Sequence, residues 1–184
     1  LRDFNSHWDW HPAIAESEIE NGLPADSVGA VRAFTLQDGG FLREQLLSLD
    51  DDTHELSYCL IESPLPLYDY VATIRLKPVT DTGATFWQWE SAFNPPAERA
   101  RELTALVAND IYRAGMRALE RRLREGPEGG GEGVLRVARA AEKHPPYEPV
   151  KDQANGPRTQ ATTALGVRET GSLQARAVVM EQYG

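Results

Sequence analysis

The chain has 184 residues, 41% of them apolar, enough for one packed domain with room for a tail, which excludes a wholly disordered chain. Its formal charge is −9, from 28 acidic and 19 basic side chains, which argues against a nucleic-acid partner, since phosphate binding needs clustered lysine and arginine. No apolar run approaches the ~18 residues of a membrane span, and a lone cysteine, Cys59, closes no internal disulfide and points to a reducing, cytoplasmic setting.

Acid is concentrated early. Residues 1–96 hold 16 acidic and 5 basic side chains, residues 97–126 hold 5 and 7, and the remainder hold 7 of each. The chain starts at Leu1 and stops in an apolar segment, so it reads as a piece of something longer. Leu1-Arg2-Asp3-Phe4 reads as the last turn of a helix, and Asn5–Pro12 is turn-rich and carries Trp8 and Trp10.

Strand-like stretches follow, punctuated by turn signals. They cover Ile14–Asn21, Gly29–Leu36, Phe41–Leu49, Glu55–Ile61, Tyr68–Val79 and Ala84–Phe93. The breaks are Gly22-Leu23-Pro24, Gln37-Asp38-Gly39-Gly40, Asp50-Asp51-Asp52, the prolines 64 and 66, and Asp81-Thr82-Gly83. Successive strands with short breaks favour an antiparallel meander. Alternation places Tyr70, Ala72, Ile74 and Leu76 on one face, and likewise Trp87, Trp89, Ser91 and Phe93.

From Ala97 to Glu125 the period changes to that of a helix, with Leu103, Leu106, Val107, Ile111, Ala114, Ala118, Leu119 and Leu123 as its apolar stripe. At 1.5 Å per residue this helix is ~43 Å long and can cover one face of a sheet. Arg121, Arg122 and Arg124 sit where they oppose its dipole. Residues 127–172 read as a flexible linker, opening on Pro-Glu-Gly-Gly-Gly-Glu-Gly. Residues 173–184 read as a strand without a partner.

A curved antiparallel sheet closed by one long C-terminal helix is an α+β helix-grip arrangement. Residues 1–126 resemble the START-like (SRPBCC) superfamily, which includes polyketide cyclase/dehydrase-like proteins. The stretches that carry the resemblance are Arg2-Asp3-Phe4 to Trp10-His11-Pro12, Gly29–Phe34, Arg43–Leu46 before the Asp50 turn, Tyr68-Asp69-Tyr70, and Trp89–Pro96. The resemblance implies a strand and most of a helix ahead of Arg2, so the N-terminal strand is expected to be missing and one sheet edge open. Gln174–Gly184 resembles the opening strand of zinc-independent quinone oxidoreductases of the medium-chain reductase superfamily. That implies a truncated second domain from 173 and a fused reductase downstream, without its nucleotide-binding residues in this chain.

In the superfamily the ligand lies between the concave face of the sheet and the long helix. Carried over by strand alternation, the lining is Phe34, Leu36, Leu42, Glu44, Tyr58, Tyr70, Ala72, Trp89, Phe93, Val107 and Ile111, with Gly115 leaving room for a ligand. The same residues also suit a filled core. Glu44, between Leu42 and Leu46, is read as a hydrogen-bond acceptor for a ligand, as a general base, or as the partner of Arg32 on the neighbouring strand. His7, Asp9 and His11 would point one way in an extended segment and invite a metal reading; the resemblance gives their neighbours Trp10 and Pro12 a packing role at the pocket entrance. The loops 37–40 and 63–66 fall where the superfamily has mobile loops at the pocket mouth.

The expected function is binding of a hydrophobic or aromatic small molecule, lipid- or polyketide-like, with no metal and no cofactor. The alternatives are a cyclase or dehydratase using Glu44 and Tyr70, and an accessory domain for a fused quinone reductase.

Overall fold

The computed structural model describes residues 1–125 and 174–183. Within them, seven strands form one antiparallel sheet: β1 (Ile14–Ile19), β2 (Val31–Leu36), β3 (Phe41–Asp50), β4 (Glu55–Glu62), β5 (Tyr68–Val79), β6 (Ala84–Asn94) and β7 (Ala175–Tyr183). Their spatial order is their chain order, so the sheet is a simple meander. The sequence boundaries agree with these to within a residue or two. A 3-10 turn, Phe4–Asp9, precedes β1. The long C-terminal helix runs from a 3-10 turn, Ala97–Arg99, through α1 (Ala100–Ala105) and a π-helical segment, Leu106–Arg113, to α2 (Ala114–Glu125).

The turns follow from their chemistry. Asp50 Oδ1 accepts the backbone N–H groups of Asp52 and Thr53, both at 2.9 Å, and so closes the acidic turn onto itself. Gly83, at φ 68°, supplies the left-handed residue that ends the β5–β6 connection.

The alternation read from sequence holds. Tyr70, Ala72 and Ile74 are buried on β5, and Trp87, Trp89, Ser91 and Phe93 on β6. Their partners across the helix are Leu103, Leu106, Val107, Tyr112 and Met116. Here the helix departs from the expected stripe. Its deepest positions are 103, 107, 112 and 116, so one step is five residues long instead of four. The π-helical segment lies between Val107 and Tyr112 and takes up the extra residue. Downstream residues are rotated accordingly, and Tyr112 and Met116 turn inward; Leu123, two residues from the end of α2, is exposed.

The expectation of a partnerless strand at 173–184 is overturned. β7 pairs with β6 along its whole length, from Ala175 opposite Phe93 to Tyr183 opposite Thr85. One sheet edge was expected to be open for want of an N-terminal strand; β7 covers the outer edge of β6. Ala177 and Val179 are buried beneath the helix, while Val178 and Met180 face outward. Arg113 from the helix pairs with Glu181 at 3.3 Å, and the Tyr183 ring meets the edge of Trp87. The assignment of this segment to a second domain rests on its sequence resemblance alone; in the structure it serves the first. The linker assigned to 127–172 lies outside the described residues.

Burying a valine contributes about 1.5–3 kcal/mol, and burying an unpaired charge in its place costs more. Val179→Asp should therefore lower stability by about 3 kcal/mol in urea denaturation, and Met180→Asp by less than about 0.5 kcal/mol. Equal, small effects would mean that β7 does not dock.

Candidate functional site

Between the inner face of β2–β6 and the helix lies a cavity of about 60 Å³. Its walls are mostly apolar and aromatic. Phe34 and Leu36 come from β2, Leu42 from β3, Tyr58 and Leu60 from β4, Tyr70 from β5, Trp89 from β6 and Ile111 from the π-helical segment. Pro64, Leu65 and Leu67 close one end. The ring of Pro64 also lies 3.4 Å from where a side chain on Gly40 would begin, so the loops 37–40 and 63–66 touch at this end. The polar members are His7, His11, Arg32 and Glu44.

Of the residues expected from sequence, Phe34, Leu36, Leu42, Glu44, Tyr58, Tyr70, Trp89 and Ile111 come together around this space. Ala72, Phe93 and Val107 are fully buried in the packed core and do not border it. Gly115 does make room, but for a protein side chain. A Cβ there would lie 2.5 Å from His11 Cδ2 and 2.8 Å from its Nε2. The space assigned to a ligand is thus filled by the His11 ring.

Arg32 and Glu44 face each other on β2 and β3 and are both buried. Arg32 Nε donates to Glu44 Oε2 at 2.8 Å, and Nη2 donates to the same oxygen. Arg32 Nη1 donates to the carbonyl of Phe4 at 2.6 Å and to His7 Nδ1. The guanidinium also lies 4.1 Å from the centre of the Phe4 ring. Burial pushes the Glu44 carboxyl above the usual carboxylate range, and the charge and hydrogen bonds of Arg32 pull it back. The interstrand partner is therefore the role of Glu44 that the geometry displays.

Aromatic side chains form the opposite wall. Trp89 stacks on Tyr112 with ring centroids 4.5 Å apart, and its Nε1–H donates to the Tyr58 hydroxyl at 3.0 Å. Tyr70 and Tyr112 share a hydrogen bond between their hydroxyls. Desolvation holds all three phenols well above their ordinary pKa, so they stay protonated at neutral pH. Tyr112 was missed by the sequence reading, because strict α-helical spacing from Val107 points to Ile111 instead.

The two histidines also depart from expectation. The segment from Phe4 to Asp9 is a 3-10 turn and not extended, with His11 two residues beyond it, so residues two apart no longer point the same way. His7 and His11 turn into the core, whereas Asp9 bonds Arg122 at 2.6 Å. Among the described residues no three His, Cys, Asp or Glu side chains converge as metal ligands would. His11 Nδ1 accepts the N–H of Ala13 at 3.1 Å, which leaves Nε2 to donate to the Ile111 carbonyl at 3.0 Å. Burial lowers the His11 pKa to about 4.

The chain is similar over residues 1–124 to the family described as polyketide cyclase / dehydrase and lipid transport. It belongs to that family. None of the curated proteins matches the chain. Among solved structures, an uncharacterised protein from Bacillus thuringiensis is 31% identical with a TM-score of 0.57, covering 65% of this chain and 82% of its own. The protein XoxI from Bacillus cereus is 28% identical with a TM-score of 0.58, covering 68% and 83%. A major latex-like protein from Panax ginseng, 16% identical with a TM-score of 0.53 over 64% and 80%, shares the fold. The helix-grip architecture expected from sequence is the observed one.

Two measurements test the polar side of this site. Glu44→Gln leaves the Arg32 charge buried without a carboxylate and should cost about 3–5 kcal/mol; the double variant Arg32→Met, Glu44→Leu should recover much of that loss. A single variant as stable as the parent would show that the pair is solvated. The second test is acid stability. Unfolded, His11 titrates near 6.5; folded, near 4. Between those values the unfolded chain holds a proton that the folded one lacks, so stability should fall by roughly 3 kcal/mol as pH drops across that window. Buried His7, shifted in the same direction, adds to the loss. In His11→Asn the slope of stability against pH should be visibly shallower, and an unchanged slope would place the His11 ring in solvent.

Proposed function

We propose that this domain binds a hydrophobic or aromatic small molecule, of lipid or polyketide type, between its sheet and its long helix. The observation that carries the reading is the composition of the cavity: aromatic and aliphatic walls, with its one carboxylate and its one guanidinium bound to each other. Such a site offers an apolar ligand a desolvated surface and asks for no net charge in return. Its family membership points the same way.

The cyclase alternative needs a base that is free to take a proton. Glu44 Oε2 is held by two donors from Arg32, and the Tyr70 hydroxyl is engaged with Tyr112. Protonating Glu44 would leave the buried Arg32 charge unmatched, and drawing Tyr70 into proton transfer would break its bond to Tyr112. Binding asks for no such rearrangement. The accessory role for a downstream reductase draws on the tail's resemblance, and no feature of the cavity calls for it.

Naphthalene is a suitable first probe, followed by tryptophan fluorescence, because Trp89 forms part of the wall. Saturable binding is expected, and Leu42→Trp, which fills the space, should abolish it while circular dichroism stays unchanged. Failure to bind naphthalene or any apolar compound of similar size would overturn the reading. Recovery of a cyclised product from a poly-β-ketone thioester, lost in Glu44→Gln, would replace it with the cyclase.

A further inference from the structure

His7 is 2% exposed, lines the cavity, and leaves its Nε2 without any hydrogen-bond partner among the described residues. Its other nitrogen fixes the state of the ring. Arg32 has only donors, so Nδ1 must accept from Arg32 Nη1 and carries no hydrogen. The approach of Nδ1 to the Phe4 carbonyl, at 3.4 Å, is long, and that carbonyl already accepts from Arg32 Nη1 at 2.6 Å. The ring's one hydrogen therefore sits on Nε2. A second proton on Nδ1 would collide with the guanidinium and add a charge beside it.

The ring is also held in place. It lies 4.7 Å from the Trp10 ring and 5.7 Å from the Trp89 ring, centre to centre. A buried N–H with nothing to donate to is costly, and native structures rarely keep one without a use. Other polar side chains of the wall hold partners: His11 the backbone of Ala13 and Ile111, Glu44 the Arg32 guanidinium through Oε2, Tyr58 the Trp89 indole, and Tyr70 the Tyr112 hydroxyl.

Building on the apolar-ligand reading, we propose that His7 is the specificity-determining residue of the cavity, its Nε2–H selecting neutral aromatic ligands that carry a carbonyl oxygen. A carboxylate finds no spare cation there, since Arg32 is already matched by Glu44. A protonated amine would meet the His7 N–H and set a second cation near the Arg32 guanidinium. A ketone or quinone oxygen supplies what the site lacks.

Acetophenone and α-methylstyrene have the same shape and differ in C=O against C=CH2, so they isolate this hydrogen bond. Titrated into the whole chain by tryptophan fluorescence, acetophenone should bind about tenfold more tightly, the usual worth of one such bond. In His7→Phe, which keeps a ring but no donor, the two should bind equally. Histidine side-chain nitrogen NMR on the parent protein gives an independent reading that needs no variant. It should show a hydrogen on His7 Nε2 whose resonance shifts with acetophenone and not with α-methylstyrene. Equal binding of the two probes to the parent, or a hydrogen found on Nδ1, would overturn the proposal and leave the apolar pocket standing. Binding of neither probe would overturn both.

Discussion

The buried contact between Arg32 and Glu44 organises the cavity end of this domain. It joins β2 to β3 on the inner face and, through Arg32 Nη1, ties both to the 3-10 turn that precedes β1. A lone guanidinium there would be prohibitive, and so would a lone carboxylate. Together they neutralise each other, and the Phe4 carbonyl and His7 Nδ1 absorb the remaining donors of Nη1. Such a pair adds less to stability than well-packed hydrocarbon would. What it supplies is placement: Phe4 packs under the guanidinium, and the His7 ring is set in a single tautomer.

The second constraint is the π-helical segment. A regular helix laid on this sheet would carry Ile111 toward Trp89 and send Tyr112 sideways. One extra residue in the turn brings Tyr112 flat against Trp89 and within reach of Tyr70. The same wide turn presents the Ile111 carbonyl to His11, and Gly115 lets that ring approach the backbone. The helix is thus fastened to the N-terminal turn by a hydrogen bond spanning a hundred residues of sequence, and again through Asp9 and Arg122.

Strand order, strand faces and the covering helix were legible because period-two and helical repeats are local properties. Eight of the expected lining residues gather around the cavity, the seven on strands because alternation fixes the face once the strand is known, and Ile111 from the helix. Tyr112 was hidden because a π turn has no signature in composition, and it changes the phase of everything after it. The histidines were misread because extended and 3-10 backbones send alternate residues in different directions, and the aromatic, turn-rich stretch at 5–12 does not choose between them. Glu44 was open between ligand and Arg32 until the register of β2 on β3 was known. The strand character of 175–183 was plain, but its partner lies about ninety residues earlier, beyond the reach of any local pattern.

A cavity of about 60 Å³ holds a few waters and is well short of the ~300 Å³ and upward typical of ligand sites. Occupation by a molecule the size of a fused aromatic ring therefore requires a wall to yield. The sheet side of the cavity resists, because Arg32, Glu44, Tyr58 and Tyr70 are bound through hydrogen bonds that would have to break. The helix side is held by His11 and by the Trp89–Tyr112 stack. The loop at 63–67 closes its end with Pro64, Leu65 and Leu67, through apolar contact, and Pro64 meets the turn at Gly40 only at van der Waals distance. Displacing it forfeits burial that an incoming apolar ligand replaces almost in kind, so the exchange is close to balanced where every alternative is not. Room for a ligand would therefore cost least at the loop end, where no buried hydrogen bond has to break.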